Sequence, residues 1–285
     1  MTIYGVTGAN GKLGRLALDE LLHKVDAGSI VAFARDPASL ADFAAKGVTV
    51  RQADYDAPES LPAALAGIDR LLLISASTLG ERPRQHGNVI DAAKAAGVGF
   101  IVYTSILRAN DTPIRLGGEH KASEEKLAAS GIGHALMRNG WYNENYVGNL
   151  AYQVETGVIT GAQGDGRISS ASRADLAAAA IKLLIDGKPG EVYNLAGDDS
   201  WTMAEFAAEL SRQTGKPVRY EDMAEDAFAA SLIAAGLPAH YAPVFANSAH
   251  ATSLGALHDD SGTLGKLIGR KTTPIAETIR QALQG

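Results

Sequence analysis

No cysteine occurs among the 285 residues. That removes disulfides, thiolate metal sites and thiol nucleophiles, and it fits a reducing compartment. Positive charge is not in excess: 26 Lys and Arg face 32 Asp and Glu, for a net charge of -6. A nucleic-acid partner, which needs a basic face, is not expected. No apolar run is long enough to span a bilayer, so membrane insertion is not expected. The opening residues lack a basic stretch followed by an apolar run and a cleavage site, so no signal peptide is expected and the chain reads as cytoplasmic. The seven histidines are scattered, and none is paired at helix-face ligand spacing, so no metal is expected. Internal repeats and low-complexity tracts are absent. What remains, 46% hydrophobic and 20% charged, is ordinary for a globular chain that can bury a substantial core.

The apolar opening, Met1 to Val6, runs into Thr7-Gly8-Ala9-Asn10-Gly11-Lys12-Leu13-Gly14. A strand is predicted to end near Thr7 and a helix to begin near Gly11. Glycines at 8, 11 and 14 suit a dinucleotide pyrophosphate: Gly8 for the tight turn, Gly11 for close approach of backbone to phosphate, Gly14 for close helix–strand packing. The start of the helix adds unpaired N–H groups and a positive dipole end. A nucleoside-triphosphatase loop is excluded, because Val6 stands five residues before Gly11 and Leu13 follows Lys12.

Strand-like and helix-like segments then alternate. Ile30–Ala34, Val48–Val50, Leu71–Ile74, Phe100–Tyr103 and Ile132–Met137 read as strands, and 88–96 and 119–129 as helices. Asp36 is the expected N-cap of a helix opening at Pro37. This rhythm implies a Rossmann-type, doubly wound parallel α/β sheet with a smaller, mostly helical C-terminal cap. After Trp141 the rhythm breaks. Val158-Ile159, Ile168 and Val192–Leu195 are short strand candidates, and a helix opens at Ser172-Arg173-Ala174-Asp175. Helices are further expected over 202–214, 224–235 and 274–283. The expected domains interleave: 1–142 with about 172–197 for the nucleotide, and about 143–171 with 198–285 for substrate and cap.

The end of the second strand discriminates between the nicotinamide cofactors. An acid there would bind the ribose 2′-hydroxyl and repel a 2′-phosphate. This chain has Arg35, whose guanidinium can grip phosphate in a bidentate manner, and Lys12 can add charge nearby. Asp36 is the counter-evidence, already accounted for as a helix cap. NADPH is therefore favoured over NADH. Asp54 is open between a turn residue and a contact to adenine.

Many enzymes of this build carry a tyrosine, with lysine four residues on, in the helix after the fifth strand. Here that helix holds Glu119-His120-Lys121-Ala122-Ser123-Glu124, with no tyrosine, although Ser105 stands at the partner-serine position. His120 and Glu124 could couple at i, i+4, either as a proton donor or as a surface ion pair. Without strong carbonyl activation, an acceptor that takes hydride readily fits better, and quinones gain aromaticity on reduction. Arg138-Asn139-Gly140-Trp141-Tyr142-Asn143-Glu144-Asn145-Tyr146 adds amides suited to a carboxamide. Its aromatics could stack on a flat acceptor or pack the cap.

Together these segments resemble the NmrA-like branch of atypical short-chain dehydrogenases, over essentially the whole chain. Ser75-Ala76-Ser77, Arg51-Gln52-Ala53-Asp54-Tyr55, Ala171–Asp175 and Lys266–Gly269 belong to the likeness. The resemblance implies an NAD(P)H:quinone oxidoreductase that needs neither flavin nor metal, with a small planar acceptor as partner. By it, Gly8, Ala9, Asn10, Gly11, Lys12 and Leu13 would cradle the pyrophosphate, and Arg35 would hold the 2′-phosphate. Ser75, Ala76 and Ser77 would border the cofactor, and Asn139, Gly140, Trp141, Tyr142, Asn143, Glu144 and Arg173 would complete the nicotinamide end. Tyr142, Asn143 and His120 are the catalytic candidates. Two other readings stay open: a redox-sensing NADP-binding regulator without turnover, and a reductase of triphenylmethane-dye-like acceptors. A homo-oligomer is also left open.

Overall fold

The structure, a computed structural model, describes residues 1–284. Its strands are β1 Tyr4–Val6, β2 Ile30–Ala34, β3 Thr49–Gln52, β4 Arg70–Leu73, β5 Phe100–Ile106, β6 Gly133–Asn139, β7 Val158–Gly161, β8 Val192–Leu195 and β9 Arg219–Asp222. Its helices are α1 Lys12–Leu22, α2 Ala41–Ala44, α3 Leu61–Ala64, α4 Arg82–Ala95, α5 Leu116–Ser130, α6 Leu150–Thr156, α7 Arg173–Asp186, α8 Met203–Thr214, α9 Glu225–Ala234, α10 Ala242–Ser253, α11 Thr263–Ile268 and α12 Ile275–Gln284. Contacts divide the chain into two compact units. The first comprises 1–109, 118–139 and 173–193; the second comprises 110–117, 140–172 and 194–285.

A seven-stranded sheet runs β3-β2-β1-β4-β5-β6-β8, as a doubly wound fold requires. The pairings from β3 through β6 are parallel. Strands buried on both faces read as continuous apolar runs, and all five residues of β2 and all seven of β5 are buried. Val31, Phe33, Leu71, Leu73, Ile101 and Tyr103 alternate onto one face and pack with residues of α3, α4 and α5, including Leu61, Val89 and Leu127. Helix α1 packs on α7. Its Leu13, Ala17, Leu18 and Leu21 are buried at helical spacing.

Strand order reverses at β1, whose neighbours are β2 on one side and β4 on the other. Thr7 fixes that junction. Its hydroxyl donates to the Leu72 carbonyl at 3.1 Å and accepts the Ile74 amide at 3.1 Å. The loops after β1 and β4, which carry Gly8–Gly14 and Ser75–Ser77, therefore start side by side at the switch point, where ligands of such sheets bind.

In the second unit β7 pairs in parallel with β9. The expected strand at Ile168 is a single bridge to Trp201. Helix α8 begins with a capping box between Thr202 and Glu205, beyond the helix expected there. Helices α6 and α10 and strand β9 were not foreseen. In α10, Ala242–Ser253, the small residues Ala, Ser and Thr are spread around the helix, so no polar face marks its period.

Candidate functional site

The first unit holds a phosphate cradle. Gly8 adopts φ 58°, in the left-handed region that favours glycine. A Cβ on Gly14 would collide with the Gly8 carbonyl oxygen and lie 2.7 Å from the Ala9 Cα, so only glycine lets α1 start this close to the turn. Gly11 is the N-cap of α1. It supplies no side-chain cap, and no acid stands in the first turn. The first amides of an α-helix have no intrahelical partner, so this end is open to an anion. Lys12 and Arg35 are exposed, and neither side chain forms a hydrogen bond or ion pair among the described residues. Asp36 accepts the Ala38 amide at 3.0 Å, in the expected capping role. Asp54 accepts the Asp56 amide at 3.0 Å, the geometry of a turn residue.

The loop after β4 is held from below. Ser75 donates its amide to Thr104 Oγ1 at 2.8 Å, and Ala76 donates its amide to His86 Nε2 at 2.9 Å. The Ala76 carbonyl accepts from Arg82 Nε at 2.6 Å, and Arg82 pairs with Glu119 at 3.2 Å. The backbone of this loop is thus tied to α4 and, through the Arg82–Glu119 pair, to α5.

Beneath that loop lies a buried polar chain. Since the Ala76 amide must donate, His86 Nε2 is an acceptor, and the ring proton sits on Nδ1. That nitrogen faces Ser123 Oγ at 2.9 Å, whose own proton goes to the Glu119 carbonyl at 2.9 Å. Tyr103 Oη lies 3.3 Å from the same nitrogen and 2.9 Å from His120 Nδ1. The phenol proton then goes to His120, whose N–H is left on Nε2. Burial first, and then Arg82, pulls both imidazoles down to about 3, with His86 adding to the effect on His120. Both rings are neutral. Burial pushes the Tyr103 phenol up.

This arrangement corrects the expected His120–Glu124 couple. His120 is 7% exposed, so it is not a surface residue, and it faces Tyr103. Glu124 instead accepts from Ser105 Oγ at 2.5 Å and from Arg138 in a bidentate pair at 2.9 and 2.5 Å. A guanidinium fork satisfies a buried carboxylate better than a neutral imidazole can. Ser105 is committed to that pair. His86 and Tyr103 were missed in the sequence. The available signal was His86 standing three and four residues before Val89 and Ile90, on the apolar face of α4.

At the end of β6, Asn139 is buried, and neither Nδ2 nor Oδ1 has a hydrogen-bond partner. An unpaired buried amide in a native site calls for a ligand, and a carboxamide matches its donor and acceptor. The cradle, the exposed cations and this amide all fit a nicotinamide dinucleotide.

In the second unit, Gly140 donates its amide to the Leu195 carbonyl at 2.7 Å. Asn143 requires a correction. It is fully buried, with Nδ2 donating to Thr278 Oγ1 at 3.0 Å and to the Thr273 carbonyl at 3.1 Å. Its Oδ1 accepts Ser170 Oγ at 2.6 Å, and Ser170 accepts the Trp201 indole at 3.1 Å. A side chain so fully paired is a tie between segments, with no proton to give. Tyr146 packs edge-on against Trp201, with centroids 4.7 Å apart, and also borders a cavity. That cavity, about 620 Å³, is lined by Trp141, Asn145, Tyr146 and Gln153, among others, all from the second unit. Among the described residues no cluster of three potential metal ligands occurs, and no helix is long and apolar enough to cross a membrane.

The NAD(P)H-binding family pattern matches residues 8–186, which begins at the cradle described above. The chain belongs to the NAD(P)H-binding, NmrA-like family. It is 50% identical to quinone oxidoreductase 2 of Escherichia coli over 97% of both chains. The solved structure of an E. coli NADPH-dependent quinone oxidoreductase complexed with NADPH superposes with a TM-score of 0.96 at 49% identity, covering 99% of this chain and all of that one. The triphenylmethane reductase of Citrobacter sp. complexed with NADP(H) gives 0.94 at 37% identity, covering 98% and 99%.

Proposed function

We propose that this chain is an NADPH-dependent quinone oxidoreductase. The observation that carries the cofactor assignment is the open phosphate cradle at α1 together with the exposed guanidinium of Arg35, which no hydrogen bond or ion pair among the described residues ties down, beside an Asp36 already spent on a cap. The acceptor assignment rests on the likeness to the E. coli quinone enzyme along almost the whole chain. When bound, NADPH supplies the hydride. The chain's part is to hold and orient. Gly8 to Leu13 receive the pyrophosphate, on backbone amides other than those of Ala9 and Gly11, which donate to the Phe33 and Gly8 carbonyls, and Arg35 with Lys12 receives the 2′-phosphate. Ser75, Ala76 and Ser77 border the cofactor on a loop fixed by His86, Thr104 and Arg82. Asn139, Gly140, Trp141, Tyr142, Glu144 and Arg173 serve the nicotinamide end, Asn139 through its unpaired amide and Asn143 only through the segment it anchors.

The second unit's cavity holds the acceptor, with Trp141 and Tyr146 offering flat faces to a ring. Reduction of a quinone consumes one hydride and one proton. Tyr142 is the side chain proposed to donate that proton; His120, a buried neutral imidazole bound to Tyr103, does not take that role, because loss of its Nε2–H would leave an imidazolate. The test is NADPH oxidation by the purified protein with a simple benzoquinone and, separately, with a triphenylmethane dye. Turnover of the quinone supports the reading. Tight NADPH binding without turnover of either acceptor would favour a redox sensor, and turnover of the dye alone a dye reductase.

A further inference from the structure

The cavity of the second unit is larger than a one-ring quinone needs. At about 620 Å³ it lies within the ~300–1,000 Å³ that holds a drug-sized ligand. Its walls differ in chemistry. On one side, Asn145, Asn149 at the N-cap of α6, and Gln153 on α6 present amides. The Gln153 Oε1 is buried without a partner. On the other side α9 packs on α10, and these two helices present Phe228, Leu232 and Phe245. Helix α9 has no buried residue, although Phe, Leu, Ile and Ala make up most of it. Its Phe228 and Leu232, which line the cavity, are thus only partly covered by the protein. Among the described residues, no Asp, Glu, Lys or Arg lines the cavity. A cationic dye would find no counter-charge there, and an anionic acceptor would find no cation.

Building on the acceptor assignment above, we infer that the preferred acceptor is a neutral quinone carrying an apolar alkyl or prenyl chain. The ring lies against the amide wall, and the chain lies along Phe228, Leu232 and Phe245. In this placement Gln153 Oε1 accepts from a hydroxyl of the reduced ring. Leu232 and Phe228 are i, i+4 neighbours on α9, so one chain can contact both. Each methylene of the chain removed from water adds to transition-state affinity as long as the wall accompanies it.

The experiment compares two benzoquinones that differ only in a short alkyl chain on the ring of one, each with NADPH and below any micelle-forming concentration. The chain should raise kcat/KM by about tenfold or more. In Leu232→Asn the ratio of the two kcat/KM values should fall towards unity, and Phe228→Asn gives a second variant at the same wall. Ile233→Asn, on the same helix but 45% exposed and off the cavity, should keep the wild-type ratio. Equal kcat/KM for the two quinones in the wild type, or a ratio that survives Leu232→Asn, overturns the inference. If neither quinone is reduced, the acceptor assignment fails instead. Quenching of Trp141 fluorescence then decides the inference separately: quenching by the chain-bearing quinone alone upholds it, and equal or absent quenching overturns it.

Discussion

The two buried imidazoles make stability depend on pH in a way that can be worked out beforehand. His86 and His120 are held neutral in the folded chain, with folded values near 3, chiefly by burial. In the unfolded chain each titrates near ~6.5. Between about pH 6.5 and 3 the unfolded state binds protons that the folded state does not, so stability rises with pH in that window. It is fully present above about 6.5 and is lost as the pH falls below it. At pH 5 each histidine costs about 2 kcal/mol relative to pH 8, a figure set by the unfolded value alone while the folded value stays well below 5. The two together cost about 4 kcal/mol, a large share of the ~5–15 kcal/mol that holds a typical domain folded. His86→Gln keeps an acceptor for the Ala76 amide and a donor for Ser123 but cannot titrate. Urea unfolding of the cofactor-free protein at pH 8 and pH 5 should therefore show a loss smaller by about 2 kcal/mol in the variant. Carboxylates contribute equally to both proteins and cancel in the comparison. Equal losses in wild type and variant would refute the assignment of His86 as a buried neutral acceptor.

Gly14→Ala drives a Cβ into the Gly8 carbonyl and the Ala9 backbone, so it should lower the melting temperature and abolish NADPH binding; calorimetry checks both. Arg35→Ala should weaken NADPH by about 1.5–3 kcal/mol and leave NADH nearly unchanged, as read from the two dissociation constants. Ser170→Ala orphans both Asn143 Oδ1 and the Trp201 indole N–H, a cost of about 1–3 kcal/mol for each buried group left unpaired, visible in denaturant unfolding. For Tyr142→Phe, a proton-donating role predicts lower turnover at unchanged NADPH affinity.

The parts of the molecule legible in the sequence are those ruled by local chemistry. The span of β2, the span of β8, the Asp36 cap before Pro37 and the start of α1 behind Gly11 follow from apolar runs and from residues with narrow conformational uses. Partner choice among buried polar groups was not legible. The i, i+4 spacing of His120 and Glu124 is real, but Arg138 approaches Glu124 from β6, and Tyr103 approaches His120 from β5. Tertiary contacts across the sheet decided between those partners. The same applies to Asn143, which looked like a site amide. Its three partners come from Ser170, Thr273 and Thr278, far along the chain. The second unit's α10 escaped because its small residues mark no polar face, and β9 because four residues, three of them charged, carry little periodicity.

Everything proposed for this chain turns on hydride leaving NADPH for a quinone without a flavin or metal between them. A single-turnover mixture of the protein, purified without either group, with one equivalent of NADPH and excess benzoquinone under anaerobic conditions measures this directly. The account predicts one quinol formed for each NADPH consumed, at a rate that rises with protein concentration. NADPH that stays bound and unoxidised, or oxidation that begins only when a flavin is added, would contradict it.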